Sequence, residues 1–123
     1  LAFQSYARVI TRKNIQIAIA DLVQMQLDLE RYATNRGHFP TDLAAAGMSR
    51  DDPWGHPYQY LNMEGAKIGK VRKDKSLHPL NTDYDLYSMG PDGKSAAPLT
   101  AKISRDDIIR ANNGNFVGIA ADY

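Results

Sequence analysis

The stretch from Ile15 to Tyr32 reads IQIAIADLVQMQLDLERY. Within it Ile15, Ala18, Leu22, Met25, Leu29 and Tyr32 recur at spacings of 3, 4, 3, 4 and 3, which draws one apolar stripe along an α-helix. Neither Gly nor Pro interrupts the chain from Ser5 to Asn35, and the Ala, Leu, Ile, Gln, Arg and Met that fill it are tolerated or favoured in helices. A helix over about residues 5–36 is therefore predicted; roughly 30 residues at 1.5 Å each make it about 45 Å long, more than the width of a domain of this size. Ile10, Ile17, Ile19, Val23 and Leu27 lie off the stripe, so the helix is apolar on more than one side. Its second face calls for a second partner.

Beyond the helix, Arg36-Gly37 supplies a stop and Pro40 follows at the expected distance. Thr41 and Asp42 offer a cap for a short helical turn through Leu43, Ala44, Ala45 and Ala46, closed by Gly47. Asp51-Asp52-Pro53-Trp54-Gly55-His56-Pro57 is a dense turn cluster that regular helix cannot cross. The period then changes: 58–63, 67–72 and 84–89 are short, aromatic and β-branched, and read as strands, with Glu64-Gly65 joining the first two. Residues 73–83 form a polar excursion, 94–105 a loop, 106–109 a short turn, and 115–120 a last strand. One long helix followed by short strands predicts an α+β domain spanning 1–123, in which the helix packs on a three- to four-stranded antiparallel sheet within 52–123 and a loop region lies toward the C-terminus.

Composition narrows the chemistry. The 123 residues carry 15 basic and 14 acidic side chains, a net charge of +1, so no overall field draws the chain to nucleic acid or an anionic membrane. With no Cys there are no disulfides, thiolate metal sites or thiol nucleophiles. His38, His56 and His78 are isolated and lack zinc-site spacing, and neither a nucleophile elbow nor a phosphate loop occurs. No catalytic residue is assigned. Lys67, Lys70, Arg72, Lys73 and Lys75 form a basic stretch broken by Asp74, better suited to guarding a strand edge than to gripping phosphates. Trp54, Tyr58, Tyr60, Tyr84 and Tyr87 read as sheet core and cross-strand pairs before they read as a sugar platform. Asp92, in a turn, and Asp106-Asp107, after a loop, are a different matter. Irregular backbone pinned by carboxylates supplies the hard oxygen ligands that Ca²⁺ takes, although the spacing is not that of an EF-hand.

Four blocks then stand in a telling order: Tyr32-Ala33-Thr34-Asn35-Arg36-Gly37-His38-Phe39-Pro40-Thr41, Asp52-Pro53-Trp54-Gly55-His56-Pro57-Tyr58-Gln59-Tyr60, Tyr84-Asp85-Leu86-Tyr87-Ser88-Met89-Gly90-Pro91-Asp92-Gly93, and Asp106-Asp107-Ile108. Together they resemble the major pseudopilins of bacterial type II secretion systems, in the type IV pilin-like superfamily, over most of the chain. The resemblance implies a pilin-like fold and a structural role. The subunit would join a helical filament of copies of itself, with other pseudopilins and inner-membrane assembly proteins as further partners. It also implies a hydrophobic N-terminal helix anchoring the subunit in the inner membrane, with the globular domain in the periplasm. The 123 residues, which enter helical pattern soon after Leu1 and contain no run of 18 apolar residues, would be the domain without that anchor.

For the loop after the third strand the resemblance implies calcium. Asp92 matches the first carboxylate and Asp106 the second, Met89 and Ser104 match positions giving main-chain oxygens, and Asp107 is an adjacent substitute. The long loop, the polar excursion and the segment from Ile108 to Tyr123 extend beyond the secretion-system pattern. They keep open a second reading: a pilin-like subunit of a surface appendage serving adhesion, DNA uptake or motility.

Overall fold

A computed structural model describes residues 2–64, 79–91, 93 and 107–123, with α-helical side chains from Thr11 onward. Helix α1 (Ala2–Arg36) is followed by β1 (Gln59–Asn62), β2 (Tyr84–Ser88), β3 (Ile108–Ala111), a 3-10 turn at Asn112–Gly114, β4 (Phe116–Ile119) and a second 3-10 turn at Ala120–Asp122. The four strands pair antiparallel in the order β1-β2-β3-β4. This is the expected α+β class, a single long helix packed on an antiparallel sheet.

The periodic stripe is what packs. Ala18, Leu22, Met25 and Leu29 are buried together with Leu43, Tyr58, Tyr84, Leu86 and Ile108, and Ile15 and Ile19 flank them. Helix α1 stops where Gly37 takes the left-handed conformation (φ 80°) and donates its N–H to the Ala33 carbonyl at 2.7 Å, a closure that a side chain at this position would strain. Asp42 caps the next turn, accepting from the Ala45 N–H at 2.6 Å. That turn carries Leu43 into the core.

Strand alternation gives the sheet two different faces. Tyr84, Leu86 and Ile108 meet the helix, whereas Ile109 and Ala111 join Leu80 and Ala120, with Tyr87 and Phe116, on the far side.

Two expectations need correction. Of the short turn expected at 106–109, Ile108 and Ile109 instead open β3: Ile108 pairs with Ser88 and Ile119, and Ile109 with Tyr87 and Gly118, while Asp106 lies outside the described residues. A β-branched pair with apolar cover on both faces is worth more as a central strand than as a turn. The polar excursion ends early, because Leu80 and Asn81 are buried beneath the 112–114 turn. The expected strand at 67–72, the Glu64-Gly65 connection and the 94–105 loop lie outside the described residues.

Candidate functional site

The strand register positions the mouth of the candidate ion loop. One step past the last β2–β3 pair, Ser88 with Ile108, stand Met89 and Asp107, just beyond the ends of neighbouring strands. Asp107 is fully buried, and its carbonyl accepts the Ala120 N–H at 2.8 Å, which ties this end of the loop to the end of β4. On the other side Gly90 (φ 71°) and Gly93 (φ 65°) make the turn, closed by the Gly93 N–H to the Gly90 carbonyl at 3.2 Å. Asp92, Ser104 and Asp106 lie outside the described residues. Among the described residues no group of three or more His, Asp or Glu side chains is arranged to hold a metal. The two described members fit a hard cation in kind: a main-chain oxygen at Met89 and a carboxylate at Asp107, at the same end of adjacent strands.

Beside this mouth lies a buried carboxylate. Asp52 Oδ1 accepts the N–H groups of Trp54 and His56, each at 3.0 Å, and Oδ2 accepts the Ser88 hydroxyl at 2.6 Å. Ser88 Oγ in turn accepts the Gly90 N–H at 3.0 Å. The Asp-Pro-Trp-Gly block and the Tyr-Asp-Leu-Tyr-Ser block, remote in sequence, are thus one junction. Ser, Asp and His come together here, but in the wrong order for nucleophilic catalysis. The fully buried Ser88 hydroxyl donates its hydrogen bond to the carboxylate rather than to an imidazole, and His56 Nδ1 stands 3.9 Å from Asp52. His56 also walls the glycine turn, since a Cβ at Gly93 would lie 2.7 Å from its Nε2.

Comparison with protein-family models, curated proteins and solved structures finds no match.

At the opposite end of β2 and β3 a residue that sequence reasoning missed organises everything around it. Arg110 occupies a helix-facing position of β3 and is 2% exposed. Its guanidinium donates from Nη1 and Nη2 to the two Asp83 oxygens, both at 2.8 Å, and from Nη1 to Asn81 Oδ1 at 3.2 Å and the Tyr84 carbonyl at 3.0 Å. Nε donates to Gln26 on α1, and the guanidinium carbon lies 3.9 Å from the centre of the Tyr84 ring. Burial would raise the Asp83 carboxyl, but the hydrogen bonds from Arg110, the Tyr84 N–H at 2.7 Å and the Arg110 charge outweigh it and hold Asp83 below the usual carboxylate range. A cation at an inward strand position was the available signal, hidden because 106–109 read as a turn.

The aromatic set is structural here. Tyr58 and Tyr84 are buried, Trp54 and Tyr60 pack against the helix-side core, and Tyr87 joins the far face. Burial and then the hydrogen bond to Asp21 (2.6 Å) push the Tyr58 hydroxyl up, and burial does the same for Tyr60, which donates to the Pro40 carbonyl at 2.7 Å. His38 rests beside Tyr32 at the helix end. His78 and the basic stretch 67–75 lie outside the described residues.

The remaining feature is a surface. Ile17, Val23 and Leu27, all off the packed stripe, are 41%, 43% and 50% exposed. Ile19, also off the stripe, instead packs against the core. Among the described residues no helix is long and apolar enough to cross a membrane.

Proposed function

We propose that the chain is the globular domain of a structural filament subunit, a pseudopilin of a type II secretion system with a pilin-like fold. Its work is assembly. The observation that carries this is the two-sided helix: α1 buries Ala18, Leu22, Met25 and Leu29 against its own sheet while Ile17, Val23 and Leu27 remain exposed. In a filament the second set would pack on neighbouring copies, and burial there would supply association energy at roughly 25 cal/mol per Å² of apolar area before the costs of association. The order of sequence blocks resembling pseudopilins supports the same role, with anchorage in the bacterial inner membrane and the domain in the periplasm.

Calcium belongs to this proposal. Asp92, Asp106 and Asp107 carboxylates with the Met89 and Ser104 carbonyls would hold Ca²⁺, which when bound would trade the entropy of the long loop for ligand bonds. The chain's own part is to bring the loop ends together: β2 and β3 deliver Met89 and Asp107 side by side, and the Asp52–Ser88 junction fixes the turn that begins the loop.

The test is a Val23→Asp/Leu27→Asp variant of the membrane-anchored subunit. Filaments seen with the parent chain are expected to vanish, while the isolated domain changes stability by no more than about 0.5 kcal/mol, as usual for exposed positions. Filaments of undiminished number and length in the double variant would refute the helix-face interface.

A further inference from the structure

The turn joining β3 to β4 reads Asn112-Asn113-Gly114, and its geometry requires a dipeptide that is chemically fragile. Asn113 sits in the left-handed region (φ 54°, ψ 34°), which Asn tolerates better than most residues. Gly114 has φ 98°, which strains any side chain, and a Cβ there would lie 2.5 Å from Oε1 of Gln26 on α1, so a larger residue would also have to push that side chain aside. Backbone conformation therefore favours Asn followed by Gly. In that pair the backbone nitrogen of the glycine is unhindered and can reach the asparagine side-chain carbonyl.

We propose that Asn113 is a deamidation site gated by the fold. In the reaction the Gly114 nitrogen, losing its proton to hydroxide, bonds to Cγ of Asn113. The bond from Cγ to Nδ2 breaks, the departing nitrogen takes a proton from water and leaves as ammonia, hydroxide is regenerated, and a five-membered succinimide remains. Water then opens the ring at either carbonyl, giving aspartate or isoaspartate. Water is the sole co-reactant consumed.

The folded turn opposes the first step in two ways. At ψ 34° the Gly114 nitrogen is turned away from the Asn113 side chain, and ring closure needs a large rotation about that bond. The amide is also held at both ends: Oδ1 accepts the Thr82 N–H at 2.9 Å and Nδ2 donates to Thr82 Oγ1 at 2.9 Å. The Asn113 N–H donates to Asn81 Oδ1, itself a partner of Arg110, so the turn opens only when this corner of the network loosens. Once formed, isoaspartate lengthens the main chain by one methylene and displaces Gly114 from Gln26. Modification at 113 thereby records opening of this corner and prevents full reclosure.

The experiment compares intact folded chain with the same chain in urea, in mildly alkaline buffer, and follows isoaspartate and mass change at 113 by peptide mapping. Deamidation is expected in urea and roughly tenfold slower or more in the folded chain, the protection implied by two hydrogen bonds that must open first. Thr82→Val, which removes the hydroxyl acceptor, is expected to speed the folded-state reaction several-fold and leave the rate in urea unchanged. No deamidation in urea overturns the site. Equal rates in folded and unfolded wild type, or an unaltered folded-state rate in a Thr82→Val chain with native circular dichroism, overturns the gating.

Discussion

The two ends of the central strands are held by buried charges of opposite sign, satisfied by different means. At the Ser88 end the Asp52 carboxylate accepts from neutral donors, two backbone N–H groups and one hydroxyl. At the Tyr84 end the Arg110 guanidinium meets a counter-ion, Asp83, and spreads its remaining donors over Asn81, the Tyr84 carbonyl and Gln26. A charge held by dipoles depends on local turn geometry. A charge held by another charge depends on the partner's protonation and ties distant segments together.

The contrast breaks most sharply at Arg110. Arg110→Ala strips Asp83, Asn81 and Gln26 of their shared donor and is expected to cost about 3–5 kcal/mol, as for other broken buried pairs. Urea melts at neutral pH would read this, and a loss under about 1 kcal/mol would mean that the network contributes little beyond packing. Asp52→Ala should cost on the order of 3 kcal/mol, since hydrogen bonds to a charged group are worth about 1.5–3 kcal/mol each and the replaced turn can partly rearrange. Asp52→Asn, which keeps an acceptor, should recover part of that loss in the same melts.

Calcium sharpens the comparison because it would act on one end alone. At a hundredfold excess over its Kd the ion is expected to stabilise the domain by about 2.7 kcal/mol. Chelator should reverse the effect and Asp92→Ala should abolish it; melting curves indifferent to both chelator and added Ca²⁺ would eliminate the ion. The smallest effect is a pH dependence at the other end. Asp83 titrates below its unfolded value when folded, so its contribution is present above the unfolded pKa and fades as pH falls through the folded one. Acid titration of stability should show a limb that Asp83→Asn flattens, modestly, because this side chain remains 26% exposed.

Legibility in the sequence follows the range of the interactions. The α1 stripe was readable because each of its members lies three or four residues from the next, and one face of a helix is a local property. Strands β1, β2 and β4 were readable from aromatic and β-branched runs between turn residues. Strand β3 was not: Asp106-Asp107-Ile108-Ile109 resembles a turn until Ser88 and Ile119 are known to flank Ile108. From the residues alone the candidate ion site was legible as spaced carboxylates, with Met89 and Ser104 added by the family resemblance, because its geometry depends on a strand register no local pattern encodes; of its members, Met89 and Asp107 fall among the described residues. Arg110 was invisible for the same reason, its partners Gln26 and Asp83 coming from elsewhere in the chain.

Helix α1 also has a mechanical consequence. It is gripped between Ala18 and Leu29 by Ala18, Leu22, Met25 and Leu29, and pinned from the side where Asp21 accepts from Tyr58 and Arg50 and Gln26 accepts from Arg110. A pull along the helix axis would load all these contacts at once, in shear. A pull across the axis would load them one after another, as a zipper opens. The domain should therefore resist axial tension far better than lateral peeling, a directional strength set by where one helix is held.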